Sequence, residues 1–215
     1  MQGLLLDIGG VVIRTPFELL APAERRLGLP AGALGARGIL DVDGDPAFAQ
    51  VLAGTSSERS YWADRADRAA QVLGTDGSTR SFMQTLFDLP AEDVVRPEVH
   101  ELVVAASASR VPVGLLTNDV GDFHGPGWVE SLPVYAHVVA MVDGSVTGVL
   151  KPDPEAFRLG VAALGLPADR IVFVDDQPAN VAAAAAADVG LRAIRFDVVD
   201  PAGSVAEVRR ALDLG

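Results

Sequence analysis

Short, wholly apolar runs that end on a polar residue constrain this chain more than any other feature. Residues 3–8 read Gly-Leu-Leu-Leu-Asp-Ile and lead into two glycines. Similar runs follow at 113–117, 171–174 and 191–196, with a weaker fifth at 136–141. Runs that are apolar at consecutive positions, and this short, are how strands buried on both faces look. Helical stretches lie between them. Residues 97–109 lead into the second run. Asp153-Pro154-Glu155 supplies an N-cap and a first-turn proline for a helix reaching about residue 164. Residues 178–189 are alanine-rich and are followed by Gly190, and Ser204-x-x-Glu207 reads as a capping box for the last helix. Alternation of strand and helix predicts an α/β fold with a doubly wound parallel sheet.

The alternation breaks once. From Val12 to about Arg96 there is helical periodicity and no convincing strand. Residues 17–27, 55–73 (opened by a Thr55-x-x-Glu58 capping box) and 78–87 read as helices, and the Gly-rich stretch 29–45 as a loop. The expected organisation is a core domain of residues 1–14 and 96–215, with a small α-helical cap at 15–95. An insertion directly after the first strand is placed to cover that strand's C-terminal edge, where open α/β sheets bind ligands.

Composition narrows the classes of partner. The 215 residues carry a formal net charge of -12, which repels a phosphate backbone and argues against nucleic acid. A small anionic substrate remains compatible, because a bound cation reverses the local field. The chain has no cysteine, which removes disulfides, thiolate catalysis and Cys-based zinc sites. The first residues, Met-Gln-Gly-Leu-Leu-Leu-Asp, lack the basic region and long apolar stretch of a signal peptide, and no run is long enough to span a bilayer. The expected location is cytoplasmic, away from membranes. Nothing in the sequence fixes an oligomeric state.

Four polar groups fall at strand ends. They are Asp7, the pair Thr117-Asn118, Lys151 just before its helix, and Asp175-Asp176 with Asn180 four residues on. A parallel sheet gathers these ends at one crevice. A carboxylate can attack phosphorus and split a difficult transfer into two steps. Two carboxylates with a backbone oxygen are the hard ligands magnesium prefers. A lysine and a hydroxyl can stabilise charge on the phosphoryl oxygens.

The ordered set Asp-x-x-Gly-Val, hydrophobic-Thr-Asn, Lys-Pro-Asp-Pro-Glu-Ala-Phe and hydrophobic-Asp-Asp-x-x-x-Asn resembles the haloacid dehalogenase (HAD) superfamily. The closest pattern is its Rossmann-like branch with a helical cap after the first strand, in an Asp-x-Gly-Gly variant like that of sugar-phosphate phosphatases. The resemblance implies a magnesium-dependent phosphatase acting on a small phosphorylated metabolite, a sugar phosphate being the leading example. Asp7 would be the nucleophile and a metal ligand, with Lys151 and Thr117 completing the catalytic set. Gly9, Gly10, Thr117, Asn118 and Lys151 would hold the substrate phosphate. The metal would rest on Asp7, the Gly9 carbonyl and Asp176, with Asp175 and Asn180 supporting the site from behind.

The sequence departs from the pattern at one position. Phosphatases of the superfamily usually carry a second aspartate two residues after the nucleophile, as general acid and base; here that residue is Gly9. His124, Asp119 or an acid among Asp41, Asp43 and Asp45 are the candidate substitutes. Two alternatives therefore stand beside the phosphatase: a non-hydrolysing binding or regulatory protein that keeps the phosphate site, and a 2-haloacid dehalogenase. The Asp175-Asp176 pair argues against the dehalogenase, since acids beside an anionic nucleophile need a cation. Blander readings accompany the rest. Asp7 taken alone reads equally as a turn cap, and His100, His124 and His137 read first as structural or solvated. The Asp41-x-Asp43-x-Asp45 cluster lacks the glycine and glutamate of a calcium loop, with Pro46 and Leu52 in their places, and reads as a solvated loop. Tyr61 and Trp62 read as packing residues.

Overall fold

Strand β1 (Gly3–Leu6) is buried at every position and pairs in parallel with β2 (Val113–Thr117) on one side and β4 (Ile171–Asp175) on the other. Strand β3 (Val138–Asp143) extends the sheet beyond β2, and β5 (Arg192–Arg195) extends it beyond β4. All pairings are parallel, in the order β3-β2-β1-β4-β5. This is the doubly wound α/β sheet that the strand–helix alternation predicts. The three central strands are the wholly apolar runs; the edge strands β3 and β5 are partly exposed, which explains their weaker signal. The computed structural model describes residues 1–186 and 188–215.

Helices Pro154–Leu164 and Pro178–Ala185 pack on one face of the sheet, and Pro97–Ala108 and Pro201–Ala211 contribute to the other side. Leu5, Leu116, Phe157 and Phe173 form the heart of the first interface, with the two phenylalanine rings edge-to-face at 5.4 Å. Burying one such side chain contributes roughly 1.5–3 kcal/mol. Gly160 sets how closely its helix approaches: a Cβ there would lie 2.8 Å from Leu5 Cδ2. That close packing fixes the helix whose N-terminal approach carries Lys151.

The chain divides into two compact units, Met1–Arg14 with Pro90–Gly215, and Thr15–Leu89. The second boundary falls at residue 89 instead of 95. Residues 94–96 are laced to the segment after β1, through Arg14 N–H to Val94 O (2.9 Å), Arg96 N–H to Val12 O (3.0 Å) and a bridge between Ile13 and Val95. The unit Thr15–Leu89 holds helices Pro16–Leu27, Pro46–Leu52, Glu58–Leu73 and Thr79–Leu86 around an aromatic core of Phe17, Phe48, Tyr61 and Trp62. Tyr61 and Trp62 are buried in that core, as packing residues.

Several helix starts differ from the sequence reading. Ser57, not Thr55, caps Glu58–Leu73, accepting from Ser60 N–H. Asp200 caps the last helix and Pro201 opens it, so Ser204 lies in the first turn. Helix Pro46–Leu52, capped by Asp45, stands at the end of the stretch read as a loop. Asp-Pro is the common signal: an acceptor at the N-cap followed by a residue with φ preset for the helix. The alanine-rich helix ends at Ala185; its expected continuation to 189 includes residue 187, outside the described residues. Among the described residues no helix is long and apolar enough to cross a membrane.

Candidate active site

The strand order reverses at β1, so the chain leaves β1 and β4 toward opposite faces and opens a crevice past their C-terminal ends. Asp7 stands there. Its N–H donates to Val174 O at 2.9 Å, which extends the ladder one residue beyond β1 and holds Asp7 beside the end of β4. Its carboxylate accepts from Ile8 N–H at 2.6 Å and meets Lys151 Nζ at 2.9 Å. The same ammonium reaches Asp175 Oδ2 at 2.7 Å.

Asp175 is fully buried and heavily committed. Oδ1 accepts from Gln177 N–H (2.8 Å) and Asn180 Nδ2 (3.0 Å), while Oδ2 accepts from Lys151 and Asn180 (3.1 Å). A carboxylate offers about four lone-pair positions, so this one is spent on holding the lysine, the helix start and Asn180. Asp176, also buried, completes a group with Asp7 and Asp175 whose oxygens lie within 4.8 Å of one another.

The electrostatics follow from burial. Desolvation pushes the Asp7 carboxyl up to about 7, against the opposing pull of Lys151 and helped by Asp175. Burial alone would lower Lys151, but the carboxylates of Asp175 and Asp7 more than reverse that and hold it firmly protonated. Asp7 and Asp175 thus share one ammonium, with the Asp176 carboxylate close beside them. Hard oxygen donors gathered in this way fit a divalent cation. With Asp175 spent on its hydrogen bonds, Asp7 and Asp176 are the carboxylates placed to ligate one.

Thr117 is buried at the end of β2. Asn118 follows, and its side chain clamps the backbone of Lys151: Nδ2 donates to Lys151 O (3.0 Å) and Oδ1 accepts from Lys151 N–H (2.7 Å). The amide group assigned to substrate phosphate is therefore engaged in fixing the lysine. Gly10 has φ 75°, a turn that suits glycine. Gly9 is exposed, with φ outside the left-handed region.

Two residues escaped the sequence reading. Arg96, 2% exposed, donates through Nε to Gly10 O at 3.0 Å and stacks over the Phe196 ring, bracing the turn that carries Gly9 and Gly10. It reads in sequence only as the residue before a helix-opening proline. Asp143, buried at the end of β3, accepts from Gly121 N–H (3.0 Å) and Ser145 N–H (2.8 Å) and so ties together the loops after β2 and β3. Its signal was readable: an apolar run ending in an acid, the same grammar as Asp7 and Asp175.

The candidate substitute acids fare differently. His124 is buried, stacked on Trp128 at 3.7 Å, and desolvation pushes it down to about 4, so the imidazole is neutral at physiological pH. Asp119 is half-buried. Asp41 and Asp43 are exposed, whereas Asp45 is buried and bonded to Tyr61 (2.6 Å) and Arg65 (3.3 Å), which corrects the reading of that stretch as wholly solvated.

Comparison with known proteins agrees with this geometry. The chain is 23% identical over 199 residues to acyl-CoA dehydrogenase family member 10 of Mus musculus, covering 91% of this chain but 18% of that protein. It is 30% identical over 132 residues to a phosphoglycolate phosphatase of Rhodospirillum rubrum, covering 60% of this chain and 54% of the relative. It therefore spans about half, or far less, of the length of the curated relatives it matches. The crystal structure of a HAD phosphatase from Thermococcus onnurineus superposes with a TM-score of 0.59 at 15% identity, covering 100% of this chain and 99% of the other, which shows a shared fold. The family model for haloacid dehalogenase-like hydrolases matches residues 1–188, from the first strand past the Asp175-Asp176 pair. With the motifs, the sheet order and the buried cluster in agreement, the chain belongs to the haloacid dehalogenase-like hydrolases.

Proposed function

We propose that this hydrolase is a Mg2+-dependent phosphatase that acts on a small phosphorylated metabolite through an aspartyl-phosphate formed on Asp7. The observation that carries the reading is the contact of Lys151 Nζ with Asp7 and Asp175 inside a buried group of three carboxylates at the switch point of the sheet. Similarity to proteins named phosphoglycolate phosphatase supports a small phosphate monoester as substrate.

Each residue has a role in this reading. Asp7, fixed by the backbone bond to Val174 and by Ile8 N–H, presents an oxygen to phosphorus. Lys151 steadies that oxygen and offers positive charge to the phosphoryl group. Asp175, Asn180 and Asn118 keep the lysine in one place, from its head and from its backbone respectively. Thr117 adds a hydroxyl at the adjoining strand end. Asp7, Asp176 and the Gly9 carbonyl would hold the ion, which when bound neutralises charge on the phosphate and restores Asp7 to its ionised form.

The test is phosphate release from a panel of phosphorylated metabolites, with magnesium or with chelator, for the parent and for Asp7→Asn. Metal-dependent release that Asp7→Asn abolishes is the expected result. Intact, magnesium-binding protein that releases phosphate from none of them would overturn the reading in favour of a binding role.

A further inference from the structure

Gly9 is a glycine that the fold does not require. Elsewhere in this unit the reason for glycine is plain: Cβ atoms at Gly160 and Gly121 would lie 2.8 Å from Leu5 Cδ2 and Ser145 Oγ, and Gly10 has a positive φ. A Cβ built at Gly9 meets nothing within 4 Å among the described residues, and the φ of Gly9 lies outside the left-handed region. A side chain would fit there without strain. Yet the position is only two residues from Asp7, at most about 7 Å along the chain.

The buried cluster offers a departing group little in the way of protons. The Lys151 ammonium is divided between Asp7 and Asp175 at 2.9 and 2.7 Å. Both Asp175 oxygens are filled by donors. A leaving oxygen that needs a proton in the transition state is served by a positioned acid worth about 10²–10⁴-fold in rate. A leaving oxygen that is already a weak base needs none.

We infer that the glycine at position 9 makes this enzyme selective for phosphoryl donors whose leaving group departs as an anion: acyl phosphates and phosphoanhydrides ahead of phosphates of simple alcohols. The inference rests on the phosphatase reading and narrows its substrate class. In the first step an Asp7 oxygen forms its bond to phosphorus while the bond from phosphorus to the leaving oxygen breaks. The electron pair goes with that oxygen and no proton moves. In the second step water adds to phosphorus, the Asp7 carboxylate leaves with its electron pair, and both hydrogens of the water stay on the product as dihydrogen phosphate.

The experiment measures kcat/KM with magnesium for acetyl phosphate, p-nitrophenyl phosphate, phenyl phosphate and glycerol phosphate, in the parent, Gly9→Ala and Gly9→Asp. For the parent, kcat/KM should fall steeply as the leaving group becomes more basic, and Gly9→Ala should show the same steepness whatever its absolute rate. Gly9→Asp should raise the ratio of glycerol phosphate to acetyl phosphate turnover by about 10²-fold. Equal turnover of all four donors by the parent would overturn the inference and leave the phosphatase intact. Failure to turn over even acetyl phosphate would remove the phosphatase reading as well.

Discussion

Both units of this molecule bury charge, and they do so in opposite ways. In the helical unit, Asp45 accepts through Oδ2 from Tyr61, Arg65 Nη1 and Gly38 N–H, and through Oδ1 from Phe48 N–H. Arg65 spends its other terminal nitrogen on Leu34 O and Ala36 O. Nearby, Glu24 binds Gly32 and Leu34 N–H with one oxygen each. Negative charge there is matched by a cation and by backbone donors that tie loops to an aromatic core. In the sheet unit, Asp7 and Asp175 share Lys151 with Asp176 close beside them, and burial drives the Asp7 carboxyl up to about 7. The first network ties loops to a core; in the second, desolvation works against the ionised form of Asp7. A strongly shifted carboxyl, more than buried charge as such, distinguishes a candidate site from a brace.

The sharpest way to break this comparison is to remove one carboxylate from each cluster. Asp7→Asn should abolish phosphate release, a loss of at least about 10⁴-fold if the nucleophile acts as proposed. The same change should not weaken the metal-free fold. The raised carboxyl pKa means that ionised Asp7 opposes folding: its unfavourable contribution is absent below about pH 4 and grows as pH rises toward 7. In chelator at pH 8, urea unfolding should find Asp7→Asn more stable than the parent, by on the order of 2 kcal/mol. Asp45→Asn should do the reverse. It leaves Arg65 buried without its counter-charge, at a cost of about 3–5 kcal/mol in the same titration. Loss of stability in Asp7→Asn, or none in Asp45→Asn, would erase the distinction between the two clusters.

The two clusters were also unequally legible. Asp7 and Asp175 each end an apolar run, so strand position announced their burial, and the ordered motifs supplied the roles proposed for them. The parallel sheet that gathers their strand ends followed from the same alternation. Asp45 had no such frame: an acid among Asp41, Asp43 and Gly44 looks like solvated loop. Its partners sit 16 and 20 residues on, at Tyr61 and Arg65, one helical turn apart. The local signal was the Asp45-Pro46 step, which marks a helix start but not a buried ion pair. Arg96 was hidden for a related reason, since its partner Gly10 O lies 86 residues away and backbone carbonyls carry no sequence mark. Apolar periodicity reports which faces are buried; it is silent on which polar groups are buried with them.

His124 gives a third kind of buried ionisable group, a ring that desolvation keeps neutral. It ends the short helix Val120–His124 that follows β2, stacked on Trp128 with ring planes 10° apart, and desolvation lowers it from 6.5 to about 4. The unfolded chain therefore binds a proton near pH 6.5 that the folded protein refuses until about pH 4. The stability this contributes is present above pH 6.5 and is lost as pH falls through that window. At one proton, the loss is at most about 1.4 kcal/mol per pH unit and roughly 3 kcal/mol in all. His124→Gln, which cannot take up the proton, should narrow its deficit relative to the parent as pH falls from 7 to 4.5, measured by urea unfolding in chelator. Asp7 runs the other way over much of the same range, so the comparison is best made in the Asp7→Asn background, where the histidine is left to set the slope. Parallel pH profiles with and without His124 in that background would mean that the imidazole titrates normally, and that burial at this helix end is looser than its stacking on Trp128 implies.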